Sequence, residues 1–174
     1  MNFVKLTGLI LIGASALTGC KKPVQAPRAT DEIDPVYGHL LHAQPKLPTV
    51  KVWLGDQELI AEVARATVQI ATGMMYRTNM PENEAMIFVF PDAARRSFYM
   101  RNCVVPLSAA YISPNGVILE LIDMKPHDEE GIPSRSTHVQ FVLEVPQGWF
   151  QRHNVGPGAA IRTERGSLME TFVR

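Results

Sequence analysis

Residues 95–103 read R-R-S-F-Y-M-R-N-C, which gathers three arginines, an asparagine and a cysteine in one short stretch. A cysteine attacks only as a thiolate, and it needs a nearby cation or imidazole to become one. Cys103 flanked by Arg95, Arg96 and Arg101, with His127 or His138 as base, is therefore a nucleophile candidate; the competing reading is a small strand residue that only fills space. Arg101 and Asn102 have a second use. If they meet Trp149 and Phe150, they form an aromatic-floored cleft rimmed by a planar cation and an amide, suited to a carboxylate, phosphate or sugar. The competing role for Arg101 is to pair with Glu144 or Glu82 and lock the sheet, with Asn102 satisfying a bulge.

Other patterns are thinner. Glu62, Glu82, Glu84, Glu120 and Asp123 could supply the two carboxyls of glycoside cleavage, but Glu120 and Asp123 are three apart and face opposite sides of a strand. His39 with His42, or Met74, Met75 and Met80, are soft or borderline metal ligands, yet neither set has the complement a closed site needs. No catalytic residue, metal or cofactor is assigned on these grounds.

The elements that must position these residues are mostly short strands. VKVWL (50–54) and QELIAEVA (57–64) flank Gly55-Asp56, a tight-hairpin signal. Thr67 precedes VQIATGMM, a short helix stopped by Gly73. AMIFVF (85–90) is continuously apolar, as in a strand covered on both faces. SFYM follows as another strand, and VPLSAAYI and VILELIDM flank the turn Ser113-Pro114-Asn115-Gly116. A long polar loop covers 125–137. VQFVLEV (139–145) alternates, with Gln140 and Glu144 on the polar side and Val142 interrupting it. A helical turn opens at Pro146–Phe150, and a last strand runs through AAIRT. About eight strands without a βαβ rhythm predict a mainly β fold, a compact sandwich or barrel-like single domain with one or two short helices.

The N-terminus carries a different message. Lys5 is followed by an apolar run from Leu6 to Leu17, too short to span a bilayer comfortably and typical of a secretory signal over residues 1–19. Leu17-Thr18-Gly19-Cys20 resembles the bacterial lipobox, so Cys20 is expected to be acylated, each buried CH₂ adding about 0.8 kcal/mol of membrane affinity. Residues 20–48, punctuated by prolines and without sustained periodicity, are expected as a flexible tether reaching roughly 30 Å. Residues 49–174 form the domain. With Cys20 lipidated, Cys103 has no intrachain partner, and stability must come from the core. Charge is balanced, 17 basic against 17 acidic residues, which leaves no basic field for nucleic acid.

Several blocks in order resemble the bacterial and archaeal domain-of-unknown-function family 192: G-M-M-Y-R at 73–77, P-E-N-E-A-M-I-F-V-F at 81–90, S-F-Y-M-R-N-C-V-V-P-L at 97–107 and F-V-L-E-V-P-Q-G-W-F at 141–150. The resemblance covers about 50–162. It implies a compact, mostly β, often exported domain, and it assigns no activity. The chain departs from the family where K-N-T becomes Arg101-Asn102-Cys103, where the acid after P-L becomes Ser108, and where a closing G-D becomes Gly158-Ala159. Both suggestive carboxylates are thus missing, which weakens a catalytic role more than a binding one. Arg77, Arg101, Asn102 and Trp149 are the ligand-binding candidates. The expectation is a lipid-anchored extracytoplasmic domain, at the outer membrane facing the periplasm where one exists. It would bind a small anionic or glycan ligand or an envelope partner without turning it over. The alternatives are an envelope hydrolase or transferase with a site built from separated loops, and a purely structural lipoprotein.

Overall fold

The structure, a computed structural model, describes residues 32–173. The signal segment, Cys20 and the first part of the expected tether lie outside the described residues. No helix among the described residues is long and apolar enough to cross a membrane.

Ten strands and three short helices follow in order: β1 (Thr49–Leu54), β2 (Gln57–Ala64), α1 (Thr67–Thr72), β3 (Glu84–Ala94), β4 (Ser97–Phe98), β5 (Leu107–Ile112), β6 (Ile118–Met124), β7 (Ile132–Pro133), β8 (Val139–Pro146), α2 (Trp149–Arg152), β9 (Ile161–Thr163), β10 (Gly166–Ser167) and α3 (Leu168–Phe172). Eight of the strands form one sheet in the order β10-β9-β1-β2-β3-β8-β5-β6, and β4 pairs with β7 beside it. The mainly β, single-domain expectation holds. The ladder is open, but it curls: Val117, just before β6, bridges Ala160, just before β9, so the two ends of the sheet meet at one corner.

Both predicted hairpins are present. Leu54 pairs with Gln57 around Gly55-Asp56, and β5 pairs antiparallel with β6 around the Pro-Asn-Gly turn. One crossover departs from the expectation of no βαβ rhythm. β2 and β3 run parallel, Glu62 beside Met86, so the chain must return to the start of the sheet, and α1 with its following loop makes that return. A third helix, α3, was not expected. Its N-cap Ser167 accepts from the Glu170 N–H at 3.2 Å while the Glu170 carboxylate accepts from the Ser167 N–H at 2.9 Å, a capping box written in the sequence as S-L-M-E.

Strand alternation sends side chains to two cores. Val50, Val52, Leu59, Ile87, Phe141 and Leu143 face the inside of the curl, where Trp149 and Phe150 of α2 and Leu168 of α3 close it. Met86, Phe88, Ala109, Tyr111 and Val142 face the other side and meet Met74, Met75, Met100 and Cys103 from the loops after α1 and β4. Each large side chain so buried contributes about 1.5–3 kcal/mol. β8 is therefore covered on both faces, and its alternation marks two cores where a core and a solvent face were expected.

Part of the expected tether is packed. Ile33 bridges Leu40, and His39 and Leu40 are buried. The Leu40 N–H donates to Thr72 Oγ1 at 3.0 Å, and Gln44 Nε2 donates to the Gly73 and Gln69 carbonyls at 2.8 and 3.2 Å. The Gly73 carbonyl lies past the last turn of α1, where carbonyls lack intrahelical partners, while the Gln69 carbonyl also accepts from the Gly73 N–H; polar groups held this way leave no apolar periodicity to read.

Candidate functional site

A cavity of about 190 Å³ lies on the outer face of the sheet, between β3, β8, α1 and the loops that follow α1 and β4. Phe88, Met74, Met75, Cys103 and Glu144 line it and are buried; Phe90, Phe98 and Tyr99, also lining it, are half-buried. The rings are interlocked: Phe98 meets Phe88 edge to face at 4.9 Å between centroids and Phe90 at 6.5 Å. Gly73, at φ +46°, ends α1 against this wall, and a Cβ there would stand 3.2 Å from the Phe88 ring. Only glycine both takes that backbone angle and clears the ring.

Two loops are stitched together at the cavity by Asn102. Its φ of +55° is tolerated better by asparagine than by most residues, its carbonyl accepts from the Tyr76 N–H at 2.8 Å, and its amide donates to the Tyr76 hydroxyl at 2.8 Å. Asn102 thus fixes a turn, where the competing reading had it satisfy a bulge.

Glu144 is the unusual group. It stands on β8 between Met86 of β3 and Ala109 of β5, is only 4% exposed, and its Oε2 is buried without a hydrogen-bond partner. Burial pushes its carboxyl up to about 8, because the charged form loses its hydration with nothing to replace it. The Cys103 thiol beside it is pushed up to about 12, first by burial and then by Glu144. A thiol held protonated is the reverse of an activated nucleophile, so Cys103 packs, as the competing reading had it.

The remaining candidates are dispersed. Arg77 forms two bonds to Glu62, at 2.5 and 2.8 Å. Arg101 lies over the Tyr37 ring at 3.7 Å and pairs with Glu129 at 2.6 Å, where Glu144 or Glu82 was expected; Glu82 pairs instead with Arg152. Trp149 is buried in the inner core, stacked on His153 at 4.2 Å. The cleft expected from Arg101, Asn102 and Trp149 is therefore not assembled, because the sheet separates them. Both arginines hold carboxylates, Arg77 through Nη1 and Nη2 and Arg101 through Nη2. Arg96, which lines the cavity, covers the Phe90 ring at 4.1 Å and binds Asp92 at 2.7 Å.

The carboxylates singled out for catalysis are likewise engaged. Glu84 pairs with Lys46, and Glu120 accepts from the Arg135 and Ser136 N–H groups. Ser108 donates to the Asp123 carboxylate across the β5–β6 pair and accepts from the Gly148 N–H at 2.8 Å. Among the described residues no group of three or more His, Cys, Asp or Glu side chains is placed to hold a metal ion; His39 hydrogen-bonds the Leu40 carbonyl, and Met74, Met75 and Met80 are core. Glu144 was missed as a site residue because its strand alternates. The signal was Val142, an apolar residue on the side read as polar.

Fold and cavity together define a small, curled β-sheet domain with one unpaired acid in an apolar recess. The chain belongs to the DUF192 family, described as "Uncharacterized ACR", whose model matches residues 50–163. No curated protein matches it. Among solved structures it is similar to a Sinorhizobium meliloti protein described provisionally as a transcription regulator, at 28% identity and a TM-score of 0.66 over 70% of this chain and 98% of that one. It is also similar to a Novosphingobium aromaticivorans protein of unknown function, at 27% identity and a TM-score of 0.62 over 75% of this chain and 91% of that one.

Proposed function

We propose that the protein is a lipid-anchored, extracytoplasmic domain that binds a small molecule in the Glu144 cavity without turning it over. The observation that carries this reading is the Glu144 carboxyl, buried with an unpartnered oxygen among aromatic and thioether side chains. A group that costs stability in the empty fold is explained if a ligand completes it. The volume supports a ligand: apolar cavities near 150 Å³ hold benzene, and about 190 Å³ is present here. The protonated Cys103 argues against covalent chemistry. Anchoring rests on the Leu17–Cys20 sequence, and palmitate labelling lost in Cys20→Ser is its check.

A fragment screen on the full chain, read by melting temperature, tests the binding reading, since ligands that bind only the folded state raise it. Fragments that stabilise the wild type and not Glu144→Gln support it; a screen with no such fragment contradicts it. The raised carboxyl favours one other reading, proton transfer by Glu144 as general acid or base. Solvent deuterium taken up at a carbon of a bound fragment would favour that chemistry over simple binding.

A further inference from the structure

If the cavity is a binding site, its lining also specifies what it holds. We infer that the ligand is a small organic ammonium ion, its nitrogen on Glu144 Oε2 and its apolar body against the rings and methionines of the cavity. Three features converge on this class.

The first is the polarity of the site. Glu144 Oε2 is an acceptor with nothing to accept from. The cation that lines the cavity is already committed: Arg96 gives Nη2 to the Asp92 carboxylate and carbonyl and Nε to the Val139 carbonyl. An anion entering the cavity would meet a buried acid and an arginine already neutralised by Asp92, whereas an ammonium ion would meet the partner that Glu144 lacks. Burial keeps Glu144 protonated in the empty site; an ammonium ion supplies the counter-ion that lets it ionise, and the carboxyl proton leaves to solvent on binding.

The second is the wall. Phe88, Phe90, Phe98 and Tyr99 present ring surfaces to the cavity, and ring faces attract cations, most strongly where water is excluded. Phe90 already shows this preference, with the Arg96 guanidinium over its ring. The same rings, with Met74 and Met75, give an apolar body a surface that adapts to shape. The third feature is size. At about 190 Å³ the cavity takes a single ring or a short alkyl chain with its amine, by comparison with benzene in a cavity near 150 Å³. It does not enclose a whole peptide or oligosaccharide.

The test uses four probes of matched shape on the full chain, benzylamine, benzyl alcohol, toluene and benzoate, with binding measured by calorimetry at pH 7. The inference expects benzylamine to bind at least about tenfold tighter than benzyl alcohol and toluene, a difference of about 1.4 kcal/mol, and benzoate to bind weakest. In Glu144→Gln the amine's advantage should vanish while toluene binds as before. The comparison among the four probes on the wild type decides the matter even if that variant fails to fold. Benzyl alcohol, toluene or benzoate binding as well as benzylamine would overturn the ammonium inference and leave the cavity standing as a binding site. Binding by none of the four would overturn both.

Discussion

Two buried glutamates flank one methionine. Glu62 on β2 and Glu144 on β8 are both register partners of Met86 on β3, and they stand 5% and 4% exposed on the same face of the sheet. Their chemistry is opposite. Burial alone would raise Glu62, but hydrogen bonds from Arg77 and the Leu47 N–H, with the Arg77 charge behind them, outweigh it and hold the carboxyl below its ordinary value. Glu144 has only the burial, and its carboxyl rises. The difference teaches what burial does not show by itself: a satisfied acid is part of the fold, and an unsatisfied one beside a cavity is a place where something else can bind.

The largest expected effect comes from making Glu62 resemble Glu144. Arg77→Ala leaves a buried carboxylate without its fork and should cost about 3–5 kcal/mol in urea unfolding at pH 7. The loss should shrink in acid: the folded pKa of Glu62 is depressed, so the pair stabilises the fold above the ordinary carboxylate range and ceases to as pH falls through the depressed value. A loss of under 1 kcal/mol at pH 7 would make the two glutamates equivalent.

Removing the charge from Glu144 should act the other way. The folded carboxyl keeps its proton to about pH 8, while the unfolded one releases it near the ordinary 4.5. Folding therefore binds a proton between those values, and wild-type stability should fall across that window by about 1.4 kcal/mol per pH unit. Below pH 4.5 the contribution is complete; above pH 8 the loss levels off. Glu144→Gln should lack this slope, so the variant gains on the wild type as pH rises, and parallel curves would contradict the assignment.

A smaller effect belongs to the docked segment. Gln44→Ala strips the Gly73 carbonyl of its donor and removes a second bond to the Gln69 carbonyl, which keeps the Gly73 N–H, and should cost about 1–2 kcal/mol by chemical denaturation; no change would mean that residues 32–48 are a tether after all. Smallest of all is Arg101→Ala. Its partner Glu129 is well exposed, so the melting temperature should fall only slightly, through the lost contact with the Tyr37 ring, in contrast to Arg77→Ala.

The contrast between the two acids also marks how far the sequence could be read. Turn chemistry is local, so the Gly55-Asp56 and Pro-Asn-Gly hairpins were legible, and the unbroken AMIFVF run announced a strand covered on both sides. Glu62 and Glu144 look alike in sequence, each a polar residue in an apolar strand, because what separates them is whether an arginine from a distant loop arrives. The same dependence on tertiary packing hid the parallel β2–β3 pair and the docking of Gln44, and it dissolved the expected meeting of Arg101 with Trp149. Those two residues lie on elements whose spacing along the chain says nothing about which side of the sheet each takes.

The claim that Glu144 is a buried, unpartnered acid is tested most directly by titrating that one carboxyl. Glutamate side-chain carbonyl NMR on the ligand-free full chain, with Glu144→Gln to assign the resonance, should show Glu144 changing protonation near pH 8 while Glu62 titrates below the ordinary carboxylate range. A Glu144 resonance that moves near pH 4.5, with the bulk of the exposed glutamates, would show a hydrated or paired carboxyl and contradict the account.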